Sequence, residues 1–213
     1  MTESEARQAI LEATRECDRH KLNSGTSGNI SLRTETGMLL TPTGIPAETL
    51  TPEMMAPMAL SGEWQGEWRP SSEWAMHAAI YKAFPAAGAI VHAHPDYCVA
   101  LSCLRETMPP FHYMIASFGG DSVPCADYAP FGSQELADKA VEALQDRTAC
   151  LLANHGMICY AATLDKAMGA AVKLETLARQ YMMARWAGTP VLLGEADMAE
   201  VYGRYRTYGQ QKP

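Results

Sequence analysis

The chain has 213 residues, 47% of them apolar, and a formal charge of −7 at pH 7. That length and apolar share support one well-packed globular domain, and the negative charge disfavours nucleic acid or an anionic membrane as a general partner. No stretch approaches the ~18 apolar residues of a membrane span, the opening is polar, and the six cysteines show no Cys-x-x-Cys spacing. A cytoplasmic protein with reduced core thiols is expected.

Thr2-x-x-Glu5 has the form of a capping box, and Ala6, Ile10, Ala13 and Cys17 follow at helical spacing to about Lys21, predicting an amphipathic helix. The loop Asn23-Ser24-Gly25-Thr26-Ser27-Gly28-Asn29 runs into a strand over 30–33, which a turn over 34–37 returns as 38–41, a hairpin. A second loop, Thr41-Pro42-Thr43-Gly44-Ile45-Pro46, joins a proline that fixes the backbone to a glycine that permits close approach of a ligand. Residues 56–60 read as a short strand, and Trp64 and Trp68 flank a loop ending at Pro70. Ser71 and Ser72 are natural caps for a helix through Phe84, and the free N–H groups and dipole of that helix start favour an anion.

Apolar residues 89–91 lead into Val91-His92-Ala93-His94-Pro95 as a buried strand does. Alternate residues of a strand share a face, so His92 and His94 can offer two imidazoles to one divalent metal, although such pairs also serve ordinary buried hydrogen bonds. Pro95 ends the strand and opens a helix over 96–104; 111–118 and 123–126 alternate as strands around Gly119-Gly120; 133–145 reads as a helix. Residues 151–154 form a buried strand that delivers His155, 157–160 continue it after Gly156, and 164–187 are a long helix. The tail 195–213 is polar and aromatic, with Tyr202, Tyr205 and Tyr208. Without repeats or linkers, hairpin strands interspersed with helices predict one domain with an α/β fold around a mainly antiparallel sheet.

A third imidazole from His155 would complete a three-histidine metal site with an open position. The small polar loops at 25–29, 41–44 and 71–72 each read alone as structural turns; with Glu73 and the histidine pair they read as a site for a phosphorylated substrate. Glu73 is placed to be a base, against the simpler role of complementing the helix dipole, and His77 is either a competing ligand or a packed core histidine. Lys21, Lys82, Lys139, Lys166, Lys173 and Lys212 fall on predicted helices or ends, away from the apolar strands where a Schiff-base lysine would be desolvated.

Through Gly25-Thr26-Ser27-Gly28-Asn29, Thr41-Pro42-Thr43-Gly44, Pro70-Ser71-Ser72-Glu73-Trp74, His92-Ala93-His94, His112-Tyr113-Met114, Asn154-His155-Gly156 and Thr207-Tyr208-Gly209, the chain resembles the class II aldolase/adducin family over nearly its whole length. The resemblance implies a single domain over 1–213 with a class II aldolase-like α/β/α layered fold, and a mobile tail from about residue 200. It implies one zinc ion per subunit on His92, His94 and His155, with Glu73 as fourth ligand at rest and as acid/base once substrate binds. It implies a phosphate pocket from Thr26, Gly28, Asn29, Thr43, Gly44, Ser71 and Ser72. It further implies a C4 homotetramer with sites between subunits, Tyr113 reaching across to the proton of the cleaved hydroxyl, and Tyr208 helping to close the site.

The activity so implied is retro-aldol cleavage of a ketose 1-phosphate of the L-fuculose 1-phosphate type to dihydroxyacetone phosphate and an aldehyde such as L-lactaldehyde. Zn²⁺ polarises the carbonyl and stabilises the enediolate left when the C3–C4 bond breaks. Phe111, Pro109, Pro110 and residues 116–118 surround the position expected to meet the aldehyde half. Other branches of the family cleave 5-deoxyribulose 1-phosphate or 5-(methylthio)ribulose 1-phosphate, epimerise a pentulose phosphate, dehydrate methylthioribulose phosphate or decarboxylate a sugar-acid phosphate. Adducin heads are non-catalytic scaffolds, a reading that the three histidines and Glu73 oppose.

Overall fold

Helix α1 (Glu3–Arg19) opens with the expected capping box: the Thr2 hydroxyl accepts from the Glu5 N–H and the Glu5 carboxylate accepts from the Thr2 N–H. The computed structural model describes residues 1–205 and Thr207; Tyr208, with residue 206 and residues 209–213 of the expected mobile tail, lies outside the described residues. After α1 the chain runs through β1 (Asn29–Arg33), β2 (Met38–Leu40), β3 (Ala56–Met58), α2 (Trp74–Ala83), β4 (Ala89–Ala93) and α3 (Asp96–Ser102). It continues with β5 (Cys125–Ala126), α4 (Gln134–Ala143), β6 (Ala149–Leu152), β7 (Gly156–Ala161), α5 (Leu164–Ala187) and α6 (Glu195–Tyr205).

The strands form one seven-stranded sheet in the order β3-β2-β1-β4-β7-β6-β5, antiparallel throughout save the β5–β6 pair. Alternation along β4 explains why every residue in it is buried. Ala89, Val91 and Ala93 pack with α1, α3 and α5 on one face, and Ile90 packs with α2 and α4 on the other. Helices on both faces make the expected α/β/α layering around a mainly antiparallel sheet.

Two expectations are corrected. Residues 111–118 are not a strand: Tyr113–Phe118 is a 3₁₀ helix whose first turn is capped by His112, Nδ1 accepting from the Met114 N–H at 3.1 Å. It buries Ile115, Ala116 and Phe118, with Ile115 and Phe118 three residues apart on one side of the turn. Ser71 and Ser72 do not cap α2. The N-cap position belongs to Glu73, whose own N–H donates to Ser71 Oγ at 3.3 Å while its carboxylate turns inward. Within the polar tail, which the sequence left without an element, Glu195–Tyr205 forms α6, with Asp197 accepting from the Gly194 N–H at 2.9 Å. Cys17, Cys98, Cys150 and Cys159 are buried, Cys103 is exposed, and all six cysteines are free. No helix among the described residues is long and apolar enough to cross a membrane.

Candidate metal centre

Strand β4 and the turn between β6 and β7 deliver the three histidines. His92 is fully buried, and its Nδ1 donates to the Met157 carbonyl on β7 at 2.8 Å, so in the neutral ring Nε2 presents a lone pair. His94 lies just past the strand on the same side; its N–H is held by the Leu22 carbonyl at 3.1 Å and Asn23 Oδ1 at 3.0 Å. The Nε2 atoms of His92 and His94 are 2.8 Å apart. His155 is set by α3, since Ser102 accepts the Asn154 N–H on its carbonyl at 3.2 Å and the His155 N–H on its hydroxyl at 3.3 Å.

Glu73 completes the group: Oε2 is 2.9 Å from His92 Nε2 and Oε1 is 3.4 Å from His155 Nε2. The four donor atoms all lie within 4.8 Å of one another. Burial pushes His94 down to about 3 and His155 to about 4, with the proximity of the His92 ring acting the same way, so both rings stay neutral and keep a lone pair. Burial would raise the Glu73 carboxyl, but His92, His155 and Asn29 outweigh it and hold the group well below the usual carboxylate range. Among the described residues Glu73 Oε1 is the one buried side-chain oxygen or nitrogen with no hydrogen-bond partner. An orphaned carboxylate oxygen facing converging imidazole nitrogens is costly without a cation. Three nitrogens and an oxygen suit a divalent ion such as Zn²⁺.

His77, left open between ligand and core histidine, is a core histidine. It is fully buried, with Nε2 at 2.6 Å from Asn29 Oδ1 and Nδ1 at 2.7 Å from Ser31 Oγ. The Asn29 amide in turn donates to Glu73 Oε2 at 3.0 Å. Periodicity of hydrophobics could not reveal this; the polar spacings Glu73-x₃-His77-x₃-Tyr81 and Asn29-x-Ser31 carried the signal.

The three polar loops converge. Residues 25–29 line one groove with Thr41, Pro42 and Ile45. Thr43 N–H donates to the Arg69 carbonyl at 3.0 Å and Ser71 N–H to the Thr41 carbonyl at 3.0 Å, which ties the second loop to the start of α2. Gly28 and Gly44 both have positive φ, 75° and 71°. Thr26, Thr43 and Ser72 are exposed, and Ser71 and Asn29 are buried. Ser72 also shares a cleft with Glu73, His94, His155, Tyr128, Ala129, Phe131 and Asn154. Of these, Tyr128, Ala129 and Phe131 were not singled out from the sequence. Phe111, expected near the aldehyde half, packs on Tyr181 with ring centroids 5.0 Å apart, and Ala116 and Phe118 are buried. Tyr113 is 47% exposed and stacks on His112.

Residues 8–182 match the family described as the class II aldolase and adducin N-terminal domain. The chain is 43% identical over 205 residues to the L-fuculose phosphate aldolase of Escherichia coli K12, covering 96% of this chain and 95% of that one. It is 40% identical over 203 residues to the 5-methylthioribulose-1-phosphate/5-deoxyribulose-1-phosphate aldolase of Rhodospirillum rubrum, covering 95% and 92%. A solved L-fuculose 1-phosphate aldolase superposes with a TM-score of 0.92 at 35% identity, covering 97% of this chain and 98% of that one.

Proposed function

Since the chain belongs to the class II aldolase and adducin family and is a class II aldolase, we propose that it cleaves a ketose 1-phosphate of the L-fuculose 1-phosphate type. The products are dihydroxyacetone phosphate and an aldehyde such as L-lactaldehyde, and the metal is Zn²⁺. The observation that carries the metal chemistry is Glu73, one oxygen tied by Asn29 and the other buried, unpartnered and facing His155.

His92, His94 and His155 would hold one zinc per subunit, with Glu73 as the fourth donor before substrate arrives. Bound there, zinc supplies a Lewis acid for the ketose carbonyl and hydroxyl oxygens. Thr26, Gly28, Asn29, Thr43, Gly44, Ser71 and Ser72 form the phosphate end, where hydroxyls and main-chain N–H groups compensate for the lack of a basic field. Once displaced by substrate, Glu73 returns a proton to C3 after the C3–C4 bond breaks. Tyr113 of a neighbouring subunit of a homotetramer serves the C4 hydroxyl proton, and Tyr208 helps to close the site. Nucleic acid and membrane have no part, and a cytoplasmic location fits the free thiols.

The 40% identity to the Rhodospirillum rubrum enzyme favours a second reading, in which 5-deoxyribulose 1-phosphate or 5-(methylthio)ribulose 1-phosphate is the substrate. A coupled assay for dihydroxyacetone phosphate on zinc-loaded protein, with all three ketose phosphates side by side, decides between them. Release abolished by a chelator is expected, fastest from L-fuculose 1-phosphate. Faster release from a ribulose derivative transfers the assignment to the second reading, and no release from any of the three rejects both.

A further inference from the structure

Glu73, His77 and Tyr81 recur every four residues along one stripe of α2, and Asn29, Ser31 and Arg33 alternate along β1 beneath it. Four residues of helix advance ~6 Å and two of strand ~6.7 Å, so the two rows stay in step. They interlock as a chain. Glu73 Oε2 meets Asn29 Nδ2 at 3.0 Å, Asn29 Oδ1 meets His77 Nε2 at 2.6 Å, His77 Nδ1 meets Ser31 Oγ at 2.7 Å, and Ser31 Oγ meets the Tyr81 hydroxyl at 2.8 Å. The Arg33 guanidinium lies 4.6 Å from the centre of the Tyr81 ring. Asn29, Ser31, His77 and Tyr81 are all buried, so water does not substitute for a broken link.

Donor and acceptor chemistry gives this chain one direction. An ionised Glu73 only accepts, so Asn29 turns its NH₂ to it and its carbonyl to His77, and Nε2 of His77 must carry the ring proton. Nδ1 then accepts from the Ser31 hydroxyl, and Ser31 accepts from Tyr81. The other His77 tautomer would rotate the Asn29 amide and set its oxygen against the carboxylate.

We propose that His77, Ser31 and Tyr81 are positioning residues that lock the Asn29 amide and, through it, tether Glu73 Oε2 while Oε1 stays turned toward His155. The inference rests on the reading of Glu73 as resting metal ligand and acid/base. Groups standing behind metal ligands typically change affinity or activity 10–100-fold when removed. None of the three touches the reacting atoms; they act through Asn29.

The test compares wild type, Ser31→Ala, His77→Phe and His77→Gln as full-length zinc-loaded proteins. Ser31→Ala and His77→Phe should weaken Zn²⁺, measured by chelator competition, about 10–100-fold and lower kcat more than they raise KM. His77→Gln, which keeps an N–H donor and an acceptor, should recover most of both. Long-range ¹H–¹⁵N spectra of ¹⁵N-histidine protein should show His77, identified by its loss in His77→Gln, as a neutral Nε2–H ring. A Nδ1–H ring, or Ser31→Ala with zinc affinity and kcat within twofold of wild type, overturns the proposal. If His77→Phe does not fold, Ser31→Ala, which loses only a hydroxyl, decides alone. Weakened zinc binding in a protein whose wild type releases no dihydroxyacetone phosphate would reject the aldolase substrate and leave the positioning role standing. An active wild type with unchanged variants would do the reverse.

Discussion

The Nε2 atoms of His92 and His94 face each other at 2.8 Å. The Nδ1 proton of His92 is committed to the Met157 carbonyl, so two ring nitrogens and the Glu73 carboxylate crowd one point that a cation relieves. His155→Ala should therefore purify without stoichiometric zinc and without activity. Chelation of the wild type should lower Tm by several degrees, because the metal binds the folded state selectively. Metal analysis and thermal scans measure both, and a His155→Ala protein that keeps a full zinc complement shows that the third ligand is another residue.

Glu73→Gln conserves volume and keeps one oxygen toward the metal. It should retain zinc and lose about 10²–10⁴-fold in kcat, the usual contribution of a general acid or base. Full turnover in this variant, measured under saturating substrate, removes Glu73 from the proton transfer.

Gly156 connects His155 to β7 where a side chain has no room: a Cβ there would lie 2.5 Å from the Ala93 carbonyl oxygen and 2.7 Å from His94 Cδ2. Gly156→Ala must push β4 and β7 apart and displace His94. A loss of about 1–3 kcal/mol in urea unfolding is expected, of the size of other overpacked sites, with weaker zinc binding in chelator competition. Unchanged stability together with unchanged zinc affinity would falsify the close packing of that turn.

Burial pushes His77 from 6.5 down to about 3, the proximity of His92 adding to the effect and Glu73 opposing it. The folded state thus binds fewer protons than the unfolded state between those values, so the stability linked to neutral His77 is complete above ~6.5 and lost as pH falls toward about 3. His94 and His155 act in the same sense when no metal is bound. In chelator-treated protein, His77→Gln should flatten the acid-side slope of stability between about pH 6 and 4 by up to one proton, ~1.4 kcal/mol per pH unit. An identical slope in the two proteins means that His77 is not the group that titrates.

Much of the site was legible because its residues follow local periods. His92 and His94 share a face by strand alternation, and the apolar lead of 89–91 marked the strand as buried. The capping box at Thr2 is a four-residue motif and formed as written. The misreading of 111–118 has the opposite cause: its alternation was real, but Tyr113–Phe118 packs against α5 and α6 as a 3₁₀ helix, contacts that no local window contains. Ser71 and Ser72 had the composition of helix caps, and Glu73 took the cap position because its carboxylate was drawn to His92 and Asn29.

By itself the sequence determined the layered α/β plan, the metal-binding residue types and the small polar loops, since those follow from periodicity and local backbone chemistry. Only the tertiary structure decided that His155 joins His92 and His94, that Tyr128 and Phe131 border their cleft, and that His77 stands behind Asn29 rather than beside the metal. Those relations cross β1, α2, β4 and the turn before β7. They depend on the strand order β1-β4-β7 and on how α2 lies over β1, which long-range packing settles and no local window contains.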